Sequence, residues 1–101
     1  MRVTCVVDGD TFWRNREKYR IADIDTPEVD HARCPAERAL GLKATRRLAE
    51  LMGEGQFAIQ RVGTDRYGRT LAKATRGGRS IGSQLVREGL AHRWGRRRNW
   101  C

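Results

Sequence analysis

Along the first twenty-five residues, apolar and polar positions alternate with the two-residue period of strands. Val3, Cys5 and Val7 share one side of a first strand, which Asp8-Gly9-Asp10 ends in a turn. Phe12 and Trp13 begin a second run before the polar Asn15-Arg16-Glu17 segment, and Tyr19 through Ile24 restart the pattern. Gly9 permits a tight backbone path, and Pro27 biases Thr26 away from helical geometry, which ends the third strand. The period then lengthens. Pro35 suits the first turn of a helix, Leu40, Ala44, Leu48 and Leu51 recur on one face, and Lys43, Arg46 and Arg47 fall largely toward solvent. Gly53 and Gly55 mark the exit, while Gly41 inside the helix calls for close packing against another element.

Strand character returns at Phe57 to Val62 and again at Arg69 to Thr75, separated by Gly63-Thr64-Asp65-Arg66 and the permissive Gly68. Gly77-Gly78 is the next turn signal. Ser80 caps a short helix whose Ile81, Leu85 and Val86 face the body, and Gly89 ends it. About five strands with intervening helices point to a small β barrel of the OB type rather than parallel βαβ repeats. A mixed α+β sheet satisfies the same periodicity, because periodicity does not determine strand pairing.

At 101 residues the chain has room for one compact core, and its 39% hydrophobic content is enough to fold with little surplus. Twenty-one Lys and Arg against twelve Asp and Glu leave a net charge of +9, the balance of a domain that attracts nucleic acid or another anionic surface. No run approaches the roughly 18 apolar residues of a membrane-spanning helix, and the opening MRVTCVVDGD lacks a signal-peptide hydrophobic region. Removal of an export signal would nevertheless be compatible with a secreted or periplasmic location. Cys5, Cys34 and Cys101 permit at most one internal disulfide, and their wide spacing is not that of a structural zinc site. A bond between Cys34 and Cys101 would tie the tail to the body. His31 and His92 belong to no metal-spacing motif.

Three segments carry candidate chemistry: Asp8-Gly9-Asp10-Thr11, Arg20 through Glu28, and Asp65-Arg66-Tyr67-Gly68-Arg69. Asp10 and Asp25 offer hard oxygen ligands suited to calcium or magnesium, and Arg20 and Arg69 offer directional donors for a phosphate. Glu28 is placed to accept a proton from water attacking a phosphodiester. A strict two-residue period would put Arg20 and Asp25 on opposite faces, so one shared pocket requires a bend or bulge near Ile24. The plainer alternative makes Asp8, Asp10, Asp65 and Gly68 turn residues, pairs Arg20 with Glu28 and leaves Arg69 in solvent. From residue 92 onward, His92, Arg93, Trp94, Arg96, Arg97, Arg98 and Trp100 form either a basic tail with an aromatic anchor or a surface that attracts phosphate and stacks bases.

In this order, DGDT, R…DTPE and DRYGR resemble the staphylococcal nuclease-like, or thermonuclease-like, family from about Val3 to Ala91. The resemblance implies a five-stranded OB-fold barrel over residues 1–91 followed by the tail at 92–101. It implies calcium held by Asp10, Asp25 and the Thr26 carbonyl, phosphate stabilisation by Arg20 and Arg69, and water activation by Glu28. It also implies nonspecific endonuclease cleavage of DNA and RNA, leaving 5′-hydroxyl and 3′-phosphate ends, by a protein expected to be monomeric. Arg66 and Tyr67 follow the family pattern as nucleotide contacts, although Tyr67 serves equally well as a loop-packing residue. After Gly89-Leu90-Ala91 the chain reads His92-Arg93-Trp94-Gly95 where the best-known family nuclease carries nucleotide-contacting tyrosines, which makes Arg93 and Trp94 the candidate replacements. A noncatalytic nucleic-acid-binding OB module is the alternative function.

Overall fold

The computed structural model describes residues 4–96 and 99–101. Val3, Arg97 and Arg98, named above as strand and tail positions, lie outside the described residues. Four strands open the chain: β1 (Thr4–Asp8), β2 (Thr11–Arg14), β3 (Glu17–Ile21) and the two-residue β4 (Ile24–Asp25). Helix α1 (Pro35–Gly53) precedes β5 (Ala58–Thr64), β6 (Thr70–Arg76) and β7 (Arg79–Ser80), and then come α2 (Ile81–Arg87) and β8 (His92–Arg93). The β2–β3 turn carries Asn15 and Arg16 at φ 50° and 70°, the paired left-handed positions of a tight hairpin whose twist suits its strands.

The expected OB barrel is not what forms. The main sheet is an open, mixed six-stranded one in the order β1-β2-β3-β6-β5, with β7 paired to β6, and β4 leaves it to pair with β8 in a separate two-stranded sheet. Among the described residues no pairing joins β1 to β5, so neither sheet closes on itself. The physical reason lies at Ala22-Asp23, where a turn ends β3 and sends the next two strand residues to another partner. Within the main sheet β3 and β6 run parallel, Arg20 opposite Leu71, and the other pairs are antiparallel.

Helix α1 buries Gly41, Ala44, Leu48, Leu51 and Met52, a stripe with helical spacing that packs on β1 and α2. The side chains of Ala44, Leu48, Leu51 and Met52 join Phe12, Tyr19, Ile21, Ile24, Ala72, Ala74, Ile81, Leu85 and Leu90 in one core. The ring of Phe12 stacks on Tyr19 at 5.2 Å and meets Phe57 edge-on at 6.1 Å, binding β2 and β3 to the segment before β5. Ser80 caps α2 as expected, its Oγ accepting from the Ser83 N–H. Arg47 is half-exposed, and its Nε donates to Glu88 Oε1 at 2.7 Å, which links α1 to the end of α2 at the surface. Beyond α2 the chain is tied back, since β8 pairs with β4 and Cys101 is disulfide-bonded to Cys34. No helix among the described residues is long and apolar enough to cross a membrane.

Candidate active site

The Asp8-Gly9-Asp10 turn and the β2–β3 hairpin build the first half of the site. Asp8 Oδ1 accepts from the Asp10 N–H at 3.1 Å, a short side-chain-to-backbone bond that shapes the turn. Gly9 sits there because a Cβ would meet Thr26 Cγ2 at 2.8 Å and Ala44 Cβ at 2.9 Å, contacts too short for any larger residue. Hairpin register then sets Thr11 opposite Arg20, and the Ile21 N–H donates to the Asp10 carbonyl at 2.8 Å. Asp10 and Arg20 are thereby neighbours.

The Ala22-Asp23 turn supplies the change of path that Arg20 and Asp25 need to meet. Arg20 Nη2 donates to Asp25 Oδ1 at 2.7 Å and to Asp10 Oδ2 at 3.3 Å, while Nη1 donates to the carbonyls of Ile21 at 2.8 Å and Ile24 at 3.2 Å. This guanidinium is nearly buried and bonded to four acceptors, so its position is closely set. The plainer pairing of Arg20 with Glu28 is not among these bonds. Asp10 also accepts from Thr11 Oγ1 at 3.1 Å and from the Thr26 N–H at 3.4 Å, which brings Asp10, Arg20, Asp25 and Thr26 together.

Arg69 reaches the same cleft from the β5–β6 connection. Asp65 organises that loop: its Oδ2 accepts from Arg69 Nε at 2.6 Å, and its Oδ1 accepts from the Tyr67 and Arg69 N–H groups at 2.9 Å each. Burial opposes ionisation of Asp65, but these bonds outweigh it and hold the carboxyl below its usual range. Gly68, at φ 81°, makes the turn, and the Gly68 N–H donates to the Asp65 carbonyl. A cleft of about 430 Å³ results, lined by Arg20, Ala22, Asp65, Arg66, Tyr67, Arg69, Leu71 and Trp94. Tyr67 and Trp94 are exposed, and the Arg20 guanidinium lies 4.8 Å from the Trp94 ring centroid. Arg66 and Arg69 lie 5.0 and 5.6 Å from the Tyr67 ring.

Asp10, Asp25 and Thr26 meet one another and Arg20 without lining that cleft, and Arg93 and Glu28 line other depressions. Arg93 is exposed on β8 and lines a different depression with Val86, His92 and Arg96. Glu28 lines a separate depression of about 490 Å³ with His31, Arg33, Glu37, Asn99, Trp100 and Cys101. Its mooring is a residue that sequence reasoning missed: the buried Glu37 carboxylate accepts from the Glu28 N–H and the Arg33 N–H, each at 3.0 Å. An acidic side chain in the first turn of α1 was the available signal, since it suits a helix N-terminus. Gly41 completes the mooring, because a Cβ there would meet the Glu28 carbonyl at 2.7 Å and the Pro27 carbonyl at 2.9 Å.

Asp10 and Asp25, whose carboxylates converge on one nitrogen of Arg20, are oxygen donors of the kind that suits a hard cation. Negative charge is crowded there: burial first, and then the neighbouring Asp10 carboxylate, push the Asp8 carboxyl up to about 7. Among the described residues, however, no group of three or more His, Cys, Asp or Glu is arranged to hold a metal ion. Two acidic ligands would leave most of a calcium coordination sphere to carbonyl and water oxygen.

The family described as staphylococcal nuclease homologue matches residues 18–99. The chain belongs to this family. It is 33% identical over 95 residues to a Haemophilus influenzae protein named an uncharacterized endonuclease, a match covering 89% of this chain and 49% of that one. It is also 34% identical over 102 residues to the micrococcal nuclease of Shigella flexneri, covering 88% of this chain and 55% of the relative. The chain therefore spans about half the length of these relatives. Within the family match lie Arg20, Asp25, Thr26, Glu28 and the DRYGR segment, whereas Asp10 precedes residue 18 and joins them through the hairpin.

Proposed function

We propose that this chain is a calcium-dependent, nonspecific endonuclease that hydrolyses DNA and RNA phosphodiesters to 5′-hydroxyl and 3′-phosphate ends. The observation that carries the reading is Arg20, a guanidinium nearly withdrawn from water and held by two carboxylates and two carbonyls at the edge of a cleft that also holds Arg69. Arg20 would bring its positive charge and the Nε–H that those four bonds leave over, and Arg69 its terminal nitrogens, to the oxygens of a phosphate as negative charge builds. Asp10, Asp25 and the Thr26 carbonyl would hold calcium, whose charge would further offset that of the phosphate.

In this reading Glu28 accepts a proton from the attacking water, whose oxygen forms the new bond to phosphorus. The bond from phosphorus to the 5′ oxygen breaks, that oxygen takes up a proton from solvent, and the phosphate stays on the 3′ side. Tyr67 and Trp94 offer exposed rings to bases, and Arg66 and Arg93 add positive charge along the strand. A secreted or periplasmic location belongs to the same proposal, supported by a disulfide that persists best in an oxidising compartment.

The test is cleavage of end-labelled single-stranded and duplex DNA and RNA with calcium or chelator, comparing wild type with Arg20→Ala and Glu28→Ala, with folded fraction followed by circular dichroism. Calcium-dependent cutting to 3′-phosphate ends is expected, with turnover falling about 100-fold or more in either folded variant. Undiminished turnover in both variants would refute the assignment. Salt-dependent binding by wild type without any cutting would make the chain a noncatalytic nucleic-acid-binding module.

A further inference from the structure

The depression beside Glu28 is used only at one edge by the chemistry above. It is lined by Glu28, His31, Arg33 and Glu37 from the segment that leads into α1 and its first turn, and by Asn99, Trp100 and Cys101. Its volume of about 490 Å³ falls in the range of small-molecule sites. The Trp100 wall is held twice. Cys101 is bonded to Cys34, the N-cap of α1, and the Trp100 ring stacks on His92 with centroids 3.9 Å apart and planes 21° apart. His92 in turn sits opposite Asp25 in the β4–β8 pair.

A stacking ring fixed before its ligand arrives gives up little freedom on binding. Trp100 is retained there although its Nε1 and the Nδ1 of His92 are buried without a hydrogen-bond partner, a cost that the same groups would not bear in solvent. Arg33 and His31, which line the same depression, are exposed. The Glu37 carboxylate, by contrast, is turned to the two backbone N–H groups of its own loop.

We propose that this depression is a second nucleotide subsite, which takes the nucleotide adjoining the one in the Arg20–Arg69 cleft, its base against Trp100 and its phosphate toward Arg33 and His31. The proposal rests on the nuclease reading for the path of the strand past Glu28, but recognition of the nucleotide does not require cleavage.

The test therefore measures binding with chelator present, by fluorescence anisotropy and competition, using thymidine mononucleotide and oligothymidylates of increasing length. Wild type, Trp100→Leu, Trp100→Phe and Arg33→Ala are compared, with thermal melting as the check on folding. Wild type is expected to gain about tenfold or more in affinity on going from one nucleotide to its oligomers, through stacking and one more phosphate contact. Trp100→Leu and Arg33→Ala should each lose most of that gain with mononucleotide affinity unchanged, and Trp100→Phe should restore it. The Arg33 variant stands by itself if loss of the indole impairs folding, because its backbone bond to Glu37 is untouched. No gain with length in wild type, or an equal gain in Arg33→Ala, would overturn the subsite. A gain that the variants lose, in a wild type that never cuts with calcium, would overturn the nuclease reading and uphold the subsite.

Discussion

Glu37 shows how one buried carboxylate can organise a candidate site without touching a substrate. Its two accepted bonds hold the segment between Glu28 and Arg33 on α1, and bonds to a charged acceptor are stronger than neutral ones. Glu37→Ala is expected to cost about 2–4 kcal/mol in urea unfolding, from two weakened charge-assisted bonds. Glu37→Gln keeps one acceptor oxygen and should fall between. Equal stability of all three proteins would show that the loop is held by other contacts. Arg20 has the converse character: its four acceptors set its direction, and its place at the cleft makes that direction useful. The partners of both residues lie within ten positions in the chain, but the turns between them decide which of them meet, so residue type alone marks Arg20 as a phosphate donor but gives no hint of what aims it.

Helix α1 and the hairpin before it illustrate how elements place those residues. Gly41 is surrounded by the carbonyls of Pro27 and Glu28 and by Val29 Cγ2, all within 3 Å of where a Cβ would stand. Gly41→Ala should therefore destabilise the protein by about 1–3 kcal/mol, despite alanine's better helix propensity. A melting temperature at or above wild type would refute this packing. In the β2–β3 turn, Arg16 holds φ 70°, a conformation that glycine adopts without penalty. Arg16→Gly is expected to stabilise by about 1 kcal/mol, provided strain relief exceeds glycine's larger unfolded-state entropy; a lower denaturant midpoint would show the opposite balance. The bounds of α1 follow from its own residues, Pro35 at the start and Gly53 at the end, because capping and helical period act over a few positions. The fate of β4 does not, because two residues of strand pattern carry no record of which partner they will find.

Across the whole molecule, two cross-links of different kinds hold distant segments together. Glu17 accepts from Arg61, Tyr19 and Thr70, joining β3 to β5 and β6. Bonds from Arg61, then Tyr19 and Thr70, lower the Glu17 carboxyl from 4.5 to about 2. A carboxyl lowered on folding stabilises fully above its unfolded value, and the contribution disappears as pH falls through the folded one. The stability difference between wild type and Glu17→Gln should thus persist at neutral pH and vanish between about pH 4.5 and 2; a difference unchanged across that range would contradict the network. The Cys34–Cys101 bond spans 67 positions, and a loop of that size corresponds to about 4 kcal/mol in the chain-entropy account. A Cys34→Ser, Cys101→Ser double variant should lose about that much in denaturant unfolding, and a loss below about 1 kcal/mol would show that the tail is held without the bond.

What the sequence by itself determined is local: the two-residue and helical periods, the Ser80 cap, the glycine turns, and three ordered segments whose residue types suit phosphate chemistry. These depend on interactions between near neighbours, which any chain carrying those residues reproduces. The need for a bend between Arg20 and Asp25 was also implicit, because period-two geometry puts them on opposite faces. Only the tertiary structure decided the rest. It opened the expected barrel into a six-stranded sheet, sent β4 to β8, joined Cys34 to Cys101, and placed Glu37 beneath Glu28. Those outcomes depend on which distant strands and side chains meet, and that choice is made by packing the one core the chain can bury.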